Sequence, residues 1–248
     1  MRPIGFSTGA LAYGDFRRGL DILHDKQTST IELSALRENE LAPLVGALDT
    51  LDVAAYTYIS VHAPSRYDPD HETDIVRLLG KVAQRGWRIV LHPDAIDDVA
   101  IWGSFGPLLL VENMDKRNSC ARTAGELSSI FAKLPEAGLC FDIGHCRQVD
   151  PTMNESYLIL RAFGDRLRQL HVSEVNSRST HDPLSSASVD AFRKVASLIP
   201  ENIPIILEST VQEIGVEREI DLAREALPVP SSRNRENARV ASQQRAMA

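Results

Sequence analysis

A chain of 248 residues, 43% hydrophobic and 25% charged, can bury about three quarters of its unfolded surface in one core, and its length suits a barrel of alternating strands and helices. Its 34 acidic against 27 basic residues leave a formal charge of −7, which opposes non-specific attraction to nucleic acid or an anionic membrane. Cys120, Cys140 and Cys146 form no spaced disulfide framework, and Met1-Arg-Pro-Ile-Gly-Phe leads into no long apolar run, so reduced thiols, no signal peptide, no membrane span and a cytoplasmic location are expected.

In chain order one unit repeats: a short apolar strand, a turn, then an amphipathic helix. The first strand is predicted at 4–7 with a helix at 15–24, the second at 30–34 with a helix at 38–49, and the third at 58–62 with a helix at 70–84. The fourth, at 88–92, is trailed only by a short helical piece at 95–102. The fifth strand, 108–113, precedes a helix at 123–134, and the sixth, 139–142, a helix at 152–163. The seventh, 167–172, and eighth, 205–209, are followed by helices at 189–199 and 216–227. Eight such units predict an α/β fold, a single (β/α)8 TIM barrel over 1–227. An open doubly wound sheet is disfavoured because no glycine-rich dinucleotide fingerprint follows the first strand. From Pro228 the composition turns polar, and 228–248 is expected to be a disordered tail.

The stretch that organises the polar residues is Gly138-Leu-Cys-Phe-Asp-Ile-Gly-His145. An apolar strand ends in Asp142, and Gly144 is expected to turn the backbone so that His145 points into the same space. Asp142 alone is equally an N-cap. The case for a metal comes from the other strand ends: His62, His92, Glu112, His171 and Glu208 all fall at, or just inside, the C-terminal ends of predicted strands, the active-site face of such a barrel. Five histidines beside three carboxylates would be costly to bury without a cation. Glu112, Asp142, His171 and Glu208 offer a mixed oxygen and nitrogen shell suited to Mn, Co, Mg or Zn. His62 and His92 can complete a neighbouring site with Glu112 as bridge, and His145 and His181, with or without Asp182, a third, so one ion is expected with room for two or three. The additional histidines are equally suited to hydrogen-bonding the ligands or substrate. Cys140 is expected in the core and Cys146 as a buried spectator thiol rather than a soft ligand. Lys116 and Arg117, Arg178 and Glu174 are candidate substrate contacts, and Tyr13 a candidate wall of the site; each is also an ordinary loop residue.

The ordered set Val61-His-Ala-Pro, Val90-Leu-His-Pro, Leu110-Val-Glu-Asn, Cys140-Phe-Asp-Ile-Gly-His, Leu170-His-Val-Ser-Glu and Ile206-Leu-Glu-Ser resembles the xylose isomerase-like barrel superfamily, which includes sugar isomerases and epimerases and endonuclease IV. The resemblance spans about 1–227. It implies that Glu112, Asp142, His171 and Glu208 hold the metal of the epimerase-like members, with Glu112 and Glu208 as the acid/base pair. It also implies that His62, His92, His145 and His181 match further zinc ligands of endonuclease IV. One departure stands out: endonuclease IV has an aspartate two residues before its last histidine, where this chain has Ser179 before His181. The expected function is a divalent-metal-dependent isomerase or epimerase of a small carbohydrate or hydroxy-ketone. An endonuclease IV-like multinuclear zinc phosphodiesterase is the alternative, and a non-catalytic binding barrel ranks third. Nucleic acid is not the expected partner, and oligomeric state is left open.

Overall fold

Seven strands come first in the chain: β1 (Ile4–Ser7), β2 (Thr30–Ser34), β3 (Tyr58–His62), β4 (Arg88–Leu91), β5 (Leu109–Glu112), β6 (Gly138–Asp142) and β7 (Leu167–Val172). Two short strands, β8 (Glu174–Val175) and β9 (His181–Asp182), then form an antiparallel hairpin beside the barrel. Finally β10 (Ile205–Leu207) pairs with both β7 and β1, which closes an eight-stranded parallel barrel. These elements belong to a computed structural model that describes residues 2–229. The tail expected at 228–248 lies outside the described residues except for Pro228 and Val229.

Successive strand residues point to opposite faces, and the barrel shows this period of two as two separate cores. Ile31, Leu33, Ile89, Leu91, Leu109, Val111, Leu139 and Phe141 face outward and merge with the helices into one large apolar cluster. The helix Glu72–Ala83, for example, contributes Ile75, Leu79 and Val82 to it, a spacing that keeps them on one face. The intervening residues face inward, where Val90, Leu110 and Cys140 form a small apolar cluster of their own. In the same inward series stand Glu32, Ser60, His62, Glu112, Asp142, Gln169 and His171, all buried. The outer cluster thus supplies the stability, about 1.5–3 kcal/mol for each large side chain fully buried, and leaves the upper barrel interior to polar chemistry.

A register shift between Leu139 and Cys140 pairs Leu139 with Leu167 but Cys140 with Gln169, which skips Arg168. The bulge leaves Arg168 exposed and turns Gln169 and His171 inward. Without it the polar series of β7 would face the helices.

Strand positions agree closely with the sequence expectation, whereas three connecting segments differ. A short helix, Thr8–Ala12, follows β1 directly and ends at Tyr13, whose φ of 54° is left-handed. A helix at Ile143–Val149 follows β6 without a turn, so Gly144 is helical rather than a hinge. Its missing side chain has a different use, because a Cβ there would lie 2.5 Å from the Ser173 carbonyl oxygen. The β8–β9 hairpin was expected as loop. Among the described residues no helix is long and apolar enough to cross a membrane.

Candidate metal centre

Glu112 sits at the end of β5, 1% exposed, with imidazoles on both of its oxygens. Its Oε2 lies 3.3 Å from His62 Nε2 and 3.5 Å from His92 Nε2. Its Oε1 lies 3.3 Å from His145 Nδ1 and 3.3 Å from His171 Nδ1. Asp142 Oδ2 is 3.6 Å from His145 Nδ1, while Glu208, just past β10, is 3.5 Å from His171 Nδ1 and 3.4 Å from His181 Nδ1. Donor atoms around one zinc, bonded at about 2.0–2.1 Å, stand roughly 3.3 Å apart, a spacing these separations are close enough to accommodate.

The donors fall into three overlapping groups whose atoms lie within 4.8 Å of one another: His62, His92 and Glu112; Glu112, Asp142, His171 and Glu208; and Asp142, His145 and His181. Glu112 and Asp142 each belong to two. The four-residue group has the donor count of a closed site and the three-residue groups that of an open catalytic one. Cys140 also lies near Glu112 and His171, but burial raises its pKa and keeps it a thiol. Cys146 is buried in the outer apolar cluster.

Backbone and neighbouring side chains aim the ligands. His62 Nδ1 lies 2.8 Å from the Ala63 carbonyl, which leaves Nε2 for the centre. Asn113 forms two buried hydrogen bonds to the backbone of Asp142, donating from Nδ2 to its carbonyl and accepting from its N–H, both at 2.8 Å. Asp142 also caps the following helix, accepting from His145 N–H at 2.6 Å through Oδ1, so the candidate ligand is also the N-cap. On the far side of His171, Glu32 Oε2 lies 3.1 Å from Nε2 and accepts from Gln169 Nε2 at 2.7 Å and Ser60 Oγ at 3.0 Å. Two donor atoms, Asp142 Oδ2 and His171 Nδ1, are buried without any hydrogen-bond partner. A divalent cation satisfies both, and on this test the residues fit one.

Electrostatics agree. Burial, and then the Glu112 charge, push the Asp142 carboxyl up to about 6. Burial raises Glu208 well above the usual carboxylate range, with Glu112 and Asp142 adding to the shift. Burial opposes charge on His171 too, but the surrounding carboxyl groups of Glu208, Glu32 and Glu112 outweigh it and raise the imidazole well above its ordinary value. His181, lowered to about 4 by burial and by His145, is neutral and ready to ligate. Metal must therefore displace protons from the metal-free site. As pH falls through about 6, Asp142 takes up its proton, and apparent affinity is expected to drop by up to about tenfold per unit for each proton displaced. Calorimetry in buffers of different ionisation enthalpy checks this; affinity that stays constant on either side of the Asp142 titration would contradict it.

The centre forms the floor of a cavity of about 620 Å³ that reaches Tyr13, Leu36, Arg66 and Arg117. Lys116 and Arg178 are exposed on loops and do not line it. Glu174 is turned away, accepting from Ser185 N–H at 3.1 Å and facing Arg147 at 3.2 Å. Asp182 is exposed and accepts from Asn176 at 2.8 Å, on the opposite face of β9 from His181. Ser179 is buried with its Oγ against Gln148. The third donor group therefore consists of Asp142, His145 and His181 alone. Sequence reading passed over Glu32, Asn113 and Arg66. Of these only Asn113 carried a signal, standing directly after Glu112.

No protein-family model matches the chain, and no curated protein matches it. Solved structures do. Endonuclease IV from Thermus thermophilus superposes with a TM-score of 0.61 at 18% identity, covering 92% of this chain and 99% of that one. IolI with a bound zinc atom gives 0.62 at 13% identity, covering 92% and 98%. A xylose isomerase-like TIM barrel protein from Mycobacterium smegmatis in complex with magnesium gives 0.57 at 13% identity, with coverage of 92% and 98%. The fold is that of the xylose isomerase-like TIM barrels. Within that fold this chain is similar both to proteins solved with one kind of metal bound and to an endonuclease IV.

Proposed function

We propose that this protein is a hydrolase of phosphate esters that works with more than one divalent ion. The observation that carries the reading is the bracketing of Glu112, with two imidazole nitrogens within 3.5 Å of each carboxylate oxygen. Placed between the His62–His92 pair and the His171 group, Glu112 would be the residue shared by two ion positions, and with both oxygens so engaged it would have none free to take a proton from carbon, the task that isomerisation would set it. When bound, the ions would polarise the phosphoryl group and acidify water. His62 and His92 on one side, and His145 and His181 on the other, hold the open donor sets, each carrying three protein ligands. Glu208 faces the cavity, 13% exposed, where its carboxyl can meet the leaving oxygen. Hydrolysis forms a bond from water oxygen to phosphorus, breaks the ester P–O bond and passes the water proton to the leaving oxygen. The acidic surface and a cavity of this size favour a small ester over a long polyanion.

A second reading, metal-dependent isomerisation of a sugar or hydroxy-ketone, draws on Glu208. It touches both His171 and His181 and has a raised pKa, as a proton-transferring carboxylate needs. Metal content, measured by mass spectrometry on protein purified without chelator or affinity nickel, separates the two when joined to assays of bis(p-nitrophenyl) phosphate, an abasic-site duplex and sugars in deuterated water. The expected result is two to three equivalents of metal and chelator-sensitive ester hydrolysis. One equivalent with deuterium uptake and no hydrolysis would replace it with the isomerase.

A further inference from the structure

The mouth of the cavity carries charged groups that the metal ligands do not account for. Arg117 is already satisfied, donating from Nε and Nη2 to buried Asp115 at 3.0 and 2.8 Å. Asp94 accepts from Asn118 at 2.6 Å. Arg66 differs, for it is exposed, lines the cavity and makes no side-chain hydrogen bond or ion pair with any described residue. Nor is its position loose. Its backbone bridges in parallel to Arg37, and Ser65 N–H donates to the Leu36 carbonyl at 3.1 Å, which extends the β2–β3 pairing beyond the barrel end. Lining the same cavity are Leu36, 38% exposed, and Tyr13, 73% exposed, two of the few large apolar side chains left in solvent among the described residues. The left-handed φ of 54° at Tyr13 is an uncommon conformation for a non-glycine residue, and the Arg37 guanidinium donates to its carbonyl at 3.3 Å. A guanidinium carried on a backbone so anchored, unpaired and opening on the same cavity as exposed apolar surface, offers a fork for a planar or tetrahedral anion.

We propose that Arg66 anchors an anionic group, carboxylate or phosphate, on the end of a small substrate remote from the metal centre, with the substrate body lying along Leu36 and Tyr13. The substrate is thus a short chain charged at both ends, with the ester phosphate over the metal ligands and the second anion at Arg66. The assignment of the metal end rests on the phosphate-ester reading above; the contact at Arg66 does not. A cavity of about 620 Å³ accommodates several carbons between the two charges.

Three six-carbon probes test this on protein reconstituted with zinc: 6-phosphogluconate, hexitol 1,6-bisphosphate and hexitol 6-phosphate, which has a hydroxymethyl group in place of the second anion. Calorimetry should show either doubly anionic probe binding about 30-fold tighter than the monophosphate, the range of a charge-assisted bidentate contact. Whichever binds tighter identifies the anion. Arg66→Ala should erase the difference while leaving metal content and monophosphate affinity unchanged, and Arg66→Lys should keep a smaller part of it, as a charge without the fork. Equal affinity for all three probes, no binding of any, a difference that survives Arg66→Ala, or a loss shared by the monophosphate would each overturn the proposal. Should Arg66→Ala instead impair cleavage of an abasic duplex with no effect on the hexitol probes, the anion belongs to nucleic acid and the small-substrate assignment falls. Failure to release phosphate from any ester, with the affinity difference intact, removes the hydrolase reading and leaves Arg66 in place. Ester hydrolysis without the difference does the reverse.

Discussion

Glu112→Gln is expected to strip the protein of all but one of its metal equivalents and to lower turnover by on the order of 10³-fold, since removing an ion forfeits several kcal/mol of charge stabilisation. The substitution keeps shape and volume, so packing is not the variable. What changes is that an acceptor bracketed by four imidazoles becomes an amide with one donor end. Glu112 carries a charge in the metal-free protein: burial pushes its carboxyl up, but the nearby His171 and His92 and the contact with His62 hold it well below the usual range. Glutamine therefore deletes a charge, not merely a hydrogen bond. Equilibrium dialysis followed by mass spectrometry gives the stoichiometry, and ester hydrolysis gives the rate. Full metal content in Glu112→Gln would show that this residue is not a bridge. Unchanged metal content with lost exchange of carbon-bound hydrogen would return it to the role of a base.

How far the sequence foretold this site depends on which periodicity each residue obeys. β1, β2, β3 and β7 begin and end where the apolar runs place them, because a buried parallel strand bounded by turn residues leaves little freedom. Candidate ligands at strand ends, from His62 to Glu208, were visible because they interrupt those runs. Glu32 was not, since a single glutamate inside Thr30-Ile-Glu-Leu-Ser gives no sign of facing inward. Only closure of the barrel brings β2 across from β7 and sets Glu32 against His171. The helix at Ile143–Val149 was missed because Gly144 weakens helix propensity; its absent side chain is required by the Ser173 carbonyl instead. The bulge at Arg168 and the hairpin strands β8 and β9, two residues each, are too short to leave a period in the sequence. Arg66 looked like any loop cation until the structure showed which of its neighbours were already paired.

Glu32→Gln is expected to weaken one metal ion by about 10- to 100-fold and leave the others in place. Glu32 is fully buried and contacts His171 on the side away from the centre, so it neither lines the cavity nor belongs to a donor group itself. Its charge favours a proton on His171 Nε2, which would leave Nδ1 free to hold an ion together with Glu112. The amide also presents an NH₂ where Oε1 now lies, buried and without a hydrogen-bond partner. A second effect runs the other way. In the metal-free protein Glu32 helps raise the His171 pKa, so glutamine eases loss of the proton that competes with metal. That relief matters only at pH values where His171 is protonated without metal. The affinity deficit of Glu32→Gln is therefore expected to be smallest at acidic pH and to widen as pH rises. Competition with a chromophoric chelator across that range, alongside thermal unfolding of the metal-free protein, reads both quantities. A deficit that shrinks with rising pH, or one spread evenly over every ion, would mean that Glu32 acts through the general charge of the barrel interior and not through His171.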